Sequence, residues 1–409
     1  MRKLLIIILF LAPFAGKGQQ IRTSFHLDLD FVYARLKKTV SYKTQPENQQ
    51  RLDQKYQLLK LDSTVPSLAE CYIKLYQLVD IISDFHNEIY GYTGALDSQA
   101  LKNGKRSSTF QIPDKYLDSS NISKNLDSLE KVLSTKKFSD PEGIYYYKQY
   151  IRIAIFNRSD SLLEGMVLDS KIPNWHRGEV ILYLLPKKYN RFRLFTRRFD
   201  NKRFISGLDY FSDGVFRFMG WCKNPAATDF YSVSQSDQPF AIRTLNHRFT
   251  YLKLGSFSSS KQGIKDAREF CQTLADSLKT AALIVDLRNN PGGGNKNSDQ
   301  FYRLLKRYKG KMYVLIHFNT VSNAEQFALR LKKLGNVRLL GDRSRGQLTY
   351  GRNSAQDEPT PSGLFKIHFT DLKDHYQDYL PLEGIGITPD IFLSNTKDWV
   401  DQILERYDQ

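Results

Sequence analysis

Cysteine is scarce in this chain. Cys71, Cys222 and Cys271 are the only thiols in 409 residues. At most one internal bridge can form, so disulfides are not the framework even in an oxidising compartment. Their wide spacing fits no zinc site. Long apolar runs are missing as well: beyond the first 14 residues no segment approaches the roughly 20 apolar residues of a membrane helix. Acidic residues are in deficit, 43 against 60 Lys and Arg, giving a formal charge of +17. Such an excess points to an anionic neighbourhood, a membrane surface or an envelope polymer. Ordinary globular content is not lacking. With 41% hydrophobic and 25% charged residues the chain is no disordered polymer, and its length allows two or three domains with proper cores.

The start, "MRKLLIIILFLAPFAGKGQQ", reads as an export signal. Arg2 and Lys3 form a positive head, Leu4 to Phe14 an apolar run, and Gly16 and Gly18 small residues suited to cleavage. Arg2, Lys3 and Lys17 would leave with it, lowering the charge to +14. The expected location is therefore outside the cytoplasm, periplasmic or extracellular. No cysteine follows the apolar run to take a lipid anchor.

Three textures follow the signal at 1–18. Residues 19–105 read as a helical domain: "DLDFVYARLKKTV" and "SLAECYIKLYQLVDIISDFH" repeat apolar residues at spacings of three and four. Residues 106–245 form a β-rich middle module. The loose stretch "KRSSTFQIPDKYLDSSN" reads as a linker before it, and its strands are short runs such as "YYYKQYIRIAIF" and "GEVILYLL". From 246 to 409 strands and helices alternate, with "AALIVDLR" apolar throughout as a buried parallel strand requires. That order predicts an α/β core of βαβ units.

The densest basic stretch, "PKKYNRFRLFTRRFDNKRF" at 186–204, interleaves basic and aromatic residues. Interleaving of this kind serves single-stranded nucleic acid in some proteins. Its period of two predicts instead a strand pair with one apolar and one solvated basic face, and an exported protein rarely meets nucleic acid, so no nucleic-acid partner is expected.

Chemistry gathers around "HFNTVSNAEQF", residues 317–327. Ser322 stands where a strand gives way to a helix whose Phe327, Ala328, Leu331 and Leu334 face the core. A serine there exposes its hydroxyl next to free N–H groups and the positive end of a helix. It is equally the first residue of a capping box, S-N-A-E, with Glu325 reaching back. The loop "RNNPGGG", 288–294, follows the neighbouring buried strand. Its glycines let backbone N–H groups turn toward a bound group, and no Gly-Lys-Ser/Thr ending makes it a phosphate loop. The N–H groups of Gly293 and Asn323 are the candidate oxyanion donors.

"AALIVDLRNNPGG", "NTVSNAEQF", "GDRSRGQ" and "EGIGITPDI", in this order, resemble the catalytic core of the tail-specific/C-terminal-processing and tricorn-core family of serine peptidases. The resemblance covers residues 248–395 and extends faintly to "LVDIISDFH". It implies a crotonase-like α/β core with an N-terminal helical cap; no PDZ-type carboxylate loop is recognisable. In the C-terminal-processing branch a lysine 25 residues after the serine is the base. Here that position holds Gln347, whose amide has no useful basicity. Lys332 and Lys333 sit at unmatched places and read as surface charges.

The tricorn-core branch uses a histidine and a glutamate, and His86 and Glu383 fall on those matches. A neutral imidazole takes the serine proton and returns it to the leaving amine, which predicts activity falling below about pH 6.5. A carboxylate can fix its tautomer. In that branch a serine adjoins the histidine on the carboxylate side; here Phe85 does, with Ser83 three residues before His86. His317 is the reserve base. Asp84 and Glu88 flank His86 without a metal-ligand pattern, so a metal-free site without cofactor is expected. The resemblance thus implies an exported serine endopeptidase acting on peptides or proteins through a Ser322 acyl-enzyme. The alternative is a non-catalytic binding protein on the same fold, holding an apolar ligand or an envelope polymer. Oligomeric state is not encoded in any motif.

Overall fold

The computed structural model describes residues 14–63, 67–91, 125–231, 238–274, 277–353, 355–373 and 376–408. Residues 1–13, most of the stretch read as an export signal, and the loose stretch 105–121 lie outside the described residues. No helix among the described residues is long and apolar enough to cross a membrane. All three cysteines are free thiols.

Helices Phe14–Leu36, Pro46–Leu61 and Leu68–Val79 form the N-terminal layer. The third begins with a capping box: the Ser67 hydroxyl accepts the Glu70 N–H at 3.2 Å, and Glu70 accepts the Ser67 N–H at 2.9 Å. Its face of Tyr72, Leu75, Tyr76 and Val79 is wholly buried. Tyr72 and Tyr76 pack edge-on against Phe195, 5.5 and 5.2 Å between centroids, so this layer shares a core with the middle of the chain. After Asp80 the chain turns into the strand Glu88–Gly91, which pairs antiparallel with Phe365–His368.

The middle of the chain is a closed eight-stranded barrel from Gly143–Tyr147 to Trp221–Cys222, shut where Tyr146 pairs with Cys222. Tyr145, Ile153, Ile155, Leu182, Leu184, Phe192, Phe216 and Trp221 fill its interior. Closure removes the free edges that would otherwise invite pairing. One expectation fails here. The strand Arg191–Arg197 is buried at all seven positions, and Arg191, Arg193 and Arg197 are only 1%, 3% and 5% exposed. The alternation is real, but the barrel wall that carries these arginines is covered by the helical layer and by loops of the α/β core. They are not a solvated face for an envelope polymer.

The last region is a mixed α/β unit. Its sheet runs in the order Phe240–Thr244, Phe249–Leu254, Ala282–Asp286, Lys311–Ile316, Val337–Gly341, Ile391–Phe392, with only the first pair antiparallel. Ala282–Asp286 is buried at all five positions, as a strand covered on both faces must be. Helices Lys261–Leu274, Asn295–Leu305 and Asn323–Lys332 cover one face; Trp399–Tyr407, Leu208 of the barrel and Tyr231 from the segment after it cover the other. The loops leaving the carboxyl ends of adjacent parallel strands, 287–294 and 317–322, lie side by side, the position where open α/β sheets bind ligands.

Candidate active site

The Ser322 turn is built from the backbone. Val321 N–H donates to the Asn290 carbonyl at 3.0 Å, and the Thr320 hydroxyl to the Leu287 carbonyl at 3.0 Å, pinning the turn to the glycine loop. Ser322 itself takes φ 56°, ψ −122°, a conformation that costs a non-glycine residue roughly 1–3 kcal/mol. Glu325 reaches back to the Ser322 N–H at 2.9 Å, as in a capping box, while its own N–H bonds the Ser322 carbonyl at 2.9 Å. The hydroxyl meets His86. Capping and presentation are therefore compatible at one residue.

Gly292 fits under this turn because it has no side chain. A Cβ there would lie 2.6 Å from the Val321 carbonyl oxygen and 2.8 Å from the Asn323 nitrogen, at φ +86°. Gly293 is bridged to Phe257, with a Cβ position only 1.8 Å from that residue's carbonyl oxygen. The Gly293 and Asn323 N–H groups donate to no described residue, whereas the neighbouring Gly292 N–H is taken by Asn290 at 2.8 Å. They are free donors beside the serine.

His86 arrives from the helical layer, with Nε2 3.3 Å from Ser322 Oγ. The approach is long for a hydrogen bond, in keeping with an unliganded catalytic pair. Its loop is held from many directions. Gln45 brackets Ser83 with two bonds of 3.0 Å. Asp84 accepts the His86 N–H at 3.1 Å and the Thr370 hydroxyl at 2.5 Å. Phe85 N–H donates to Glu383 Oε1 at 3.0 Å, and Gln347 Nε2 donates to the Phe85 carbonyl at 2.5 Å.

Glu383 lies close to the histidine but does not grip its ring. Its Oε2 accepts the Leu348 and Thr349 N–H groups at 2.9 and 3.0 Å, and no described bond joins it to His86. One donor atom each of Asp84, His86 and Glu383 falls within 4.8 Å of the others, and His86 Nδ1 is buried without a partner. By residue type the three could hold a metal. Both carboxylates, however, already accept backbone or hydroxyl protons, and the imidazole faces the serine, so the donor set suits proton traffic better than coordination.

The electrostatics separate these groups. Burial, helped by the charge of His368, lowers the His86 pKa from 6.5 to about 4, so the ring is neutral and able to accept a proton. Burial, then the nearby Asp84, raises Glu383 to about 8; burial raises Asp84 to about 6.

His317 is no reserve base. It is fully buried, its Nδ1 accepts the Asn319 N–H at 3.0 Å, and its ring stacks on Tyr231 at 4.8 Å, away from the serine. Lys332 pairs with Asp390 at 2.5 Å on the surface. Sequence reasoning missed what Gln347 does. It stands where one branch has its lysine and ties its backbone N–H to Glu325 at 3.0 Å and its side chain to Phe85. The contacts of Gln45 and Thr370 had no local signal at all.

A serine presented at a strained strand-to-helix turn, a neutral imidazole at its hydroxyl and two free N–H donors beside it define a serine-type peptidase. Residues 294–393, which include Ser322 and Glu383, match the model of Peptidase family S41. No curated protein matches the sequence. Among solved structures, mature CPAF is 14% identical over 91% of this chain and 93% of that one, with a TM-score of 0.42. The photosystem II D1 C-terminal processing protease is 12% identical over 93% and 97%, at 0.40. The tricorn protease is 13% identical over 95% of this chain but 37% of its own, at 0.43. At such scores the structural likenesses add no argument to the family match.

Proposed function

We propose that this chain is an exported serine endopeptidase that cleaves peptides or proteins through a Ser322 acyl-enzyme. The observation that carries the reading is the approach of His86 Nε2 to Ser322 Oγ at 3.3 Å. In this mechanism Ser322 Oγ attacks the scissile carbonyl while His86 Nε2 takes its proton. The negative oxygen is received by the Gly293 and Asn323 N–H groups. His86 then protonates the departing amine, and water, deprotonated by the same ring, releases the acid. Glu383 acts through the Phe85 N–H, holding the His86 segment in place. Gln347 replaces a lysine base with a backbone brace, which supports the histidine branch of the mechanism. Export rests on the N-terminal signal.

Labelling of the mature protein with a fluorophosphonate probe tests this reading. Ser322→Ala and His86→Ala are expected to lose the label and Lys332→Ala to keep it. Wild-type protein that resists several electrophiles would instead favour a ligand-binding role.

A further inference from the structure

The basic stretch of the barrel remains unaccounted for by a peptidase mechanism. Two of its arginines sit two residues apart on the strand Arg191–Arg197, so their side chains share one face. Each reaches a different half of the active site.

Arg193 faces the histidine. Its guanidinium pairs with Asp80, just after the helix Leu68–Val79, with Nε 3.3 Å from Oδ2. The plane lies 5.2 Å from the ring of Phe85 and 5.0 Å from that of Tyr76. Lys187 adds a second cation to Asp80 at 2.8 Å. The helix stops at Val79, and Asp80, the first residue of the segment that leads to His86, is held by the barrel's Arg193 and Lys187.

Arg191 faces the other half. It donates to the carbonyls of Ser344 at 2.6 Å and Gly384 at 3.3 Å, and also to those of Arg345 and Ile385. These four oxygens belong to two loops, one leading to Gln347 and the other leaving Glu383. The first loop reaches the nucleophile in two steps. The Ser344 hydroxyl donates to Glu325 Oε1 at 2.6 Å, and Glu325 accepts the Ser322 N–H. Gly386 leaves room for the guanidinium, since a Cβ there would be 2.8 Å from Nη2 and 2.0 Å from the Ser344 carbonyl oxygen. A planar fork can gather four carbonyls from two loops; an ammonium on a flexible stem cannot hold the same geometry.

We infer that Arg191 and Arg193 are positioning residues of the peptidase, through which the barrel sets the register of His86 against Ser322. The inference rests on the Ser322–His86 reading and extends the active apparatus to a domain that touches neither reacting atom. Displacement by about an ångström costs on the order of 100-fold in rate, so small shifts of these loops are sufficient.

Arg191→Lys and Arg193→Lys keep the charges and lose the forks. Both are compared with Thr196→Val, which removes a buried hydroxyl bonded inside the barrel to the Ile181 carbonyl at 3.2 Å. The readouts are thermal melting, the rate of fluorophosphonate labelling and its pH profile. The two lysine variants are expected to remain folded and label about 10- to 100-fold more slowly. In Arg193→Lys the acid limb should also move up toward the ordinary imidazole value. Thr196→Val should label at the wild-type rate whatever its melting temperature. Asp80→Asn breaks the Arg193 pair from the other side, and it decides the question if Arg193→Lys does not fold. Wild-type rates and profiles in the folded variants, or equal slowing by Thr196→Val, would reduce the barrel to a stabilising role and leave the peptidase reading intact. Wild-type protein that does not label would overturn both.

Discussion

Ser322 and His86 meet at 3.3 Å but are held by opposite means. The serine is fixed by near neighbours on one sheet: the Asn290 and Leu287 carbonyls, Glu325 three residues on, and a glycine loop from the adjacent parallel strand. The histidine is fixed by side chains scattered over the chain, from Gln45 to Thr370 and Glu383, with Gln347 and Phe85 separated by 262 positions. The nucleophile, built on local backbone geometry, meets the distant parts of the chain through Glu325, which Ser344 and then Arg191 reach. A base assembled from distant contacts registers any shift between layers.

The largest effect should come from the local half. Ser322→Ala removes the nucleophile and should abolish labelling and turnover. Ser322→Gly should do the same yet raise stability by about 1 kcal/mol, because glycine adopts φ 56° without strain; a urea melt measures this. His86→Ala should follow, lowering kcat by about 10²–10⁴-fold with little change in the melt.

Gln347 tests the distant half directly. Gln347→Ala leaves the Phe85 carbonyl without its donor and should cost about 1 kcal/mol of stability and on the order of tenfold in rate. Gln347→Lys restores the residue of the other branch. If the base is His86, that lysine should not rescue His86→Ala, and a rescue would move the base to position 347. The smallest effect is one of position on the pH axis. His86 accepts protons only when neutral, and burial lowers its pKa to about 4. Activity should therefore persist as pH falls below 6.5 and fail near 4, which a labelling-rate profile from pH 3.5 to 8 would register. A fall near 6.5 would mean a solvated ring.

The contrast between the two halves also accounts for what could be read in advance. The Ser322 turn, the glycine loop and the alternating strands and helices were visible because each depends on neighbours in the chain. His86 and Glu383 were reached through resemblance, and their actual linkage, by way of the Phe85 N–H rather than the ring, was not. His317 looked close to Ser322 in sequence, but the turn sends its ring into the core beside Tyr231. Arg191, Arg193 and Arg197 were misjudged for a related reason. A period of two says that a strand has two faces, but not that the second is covered.

The sequence by itself determined the serine turn, its close-packed glycines and the order of the α/β core, because steric limits and side-chain periodicity act over a few residues. Only the tertiary structure decided that the imidazole is neutral well below its ordinary pKa, that Gln347 braces the loop before it, and that buried arginines of a barrel grip both halves of the site. Desolvation and multi-loop hydrogen bonding depend on what surrounds a group in space, and those surroundings come from parts of the chain hundreds of residues apart.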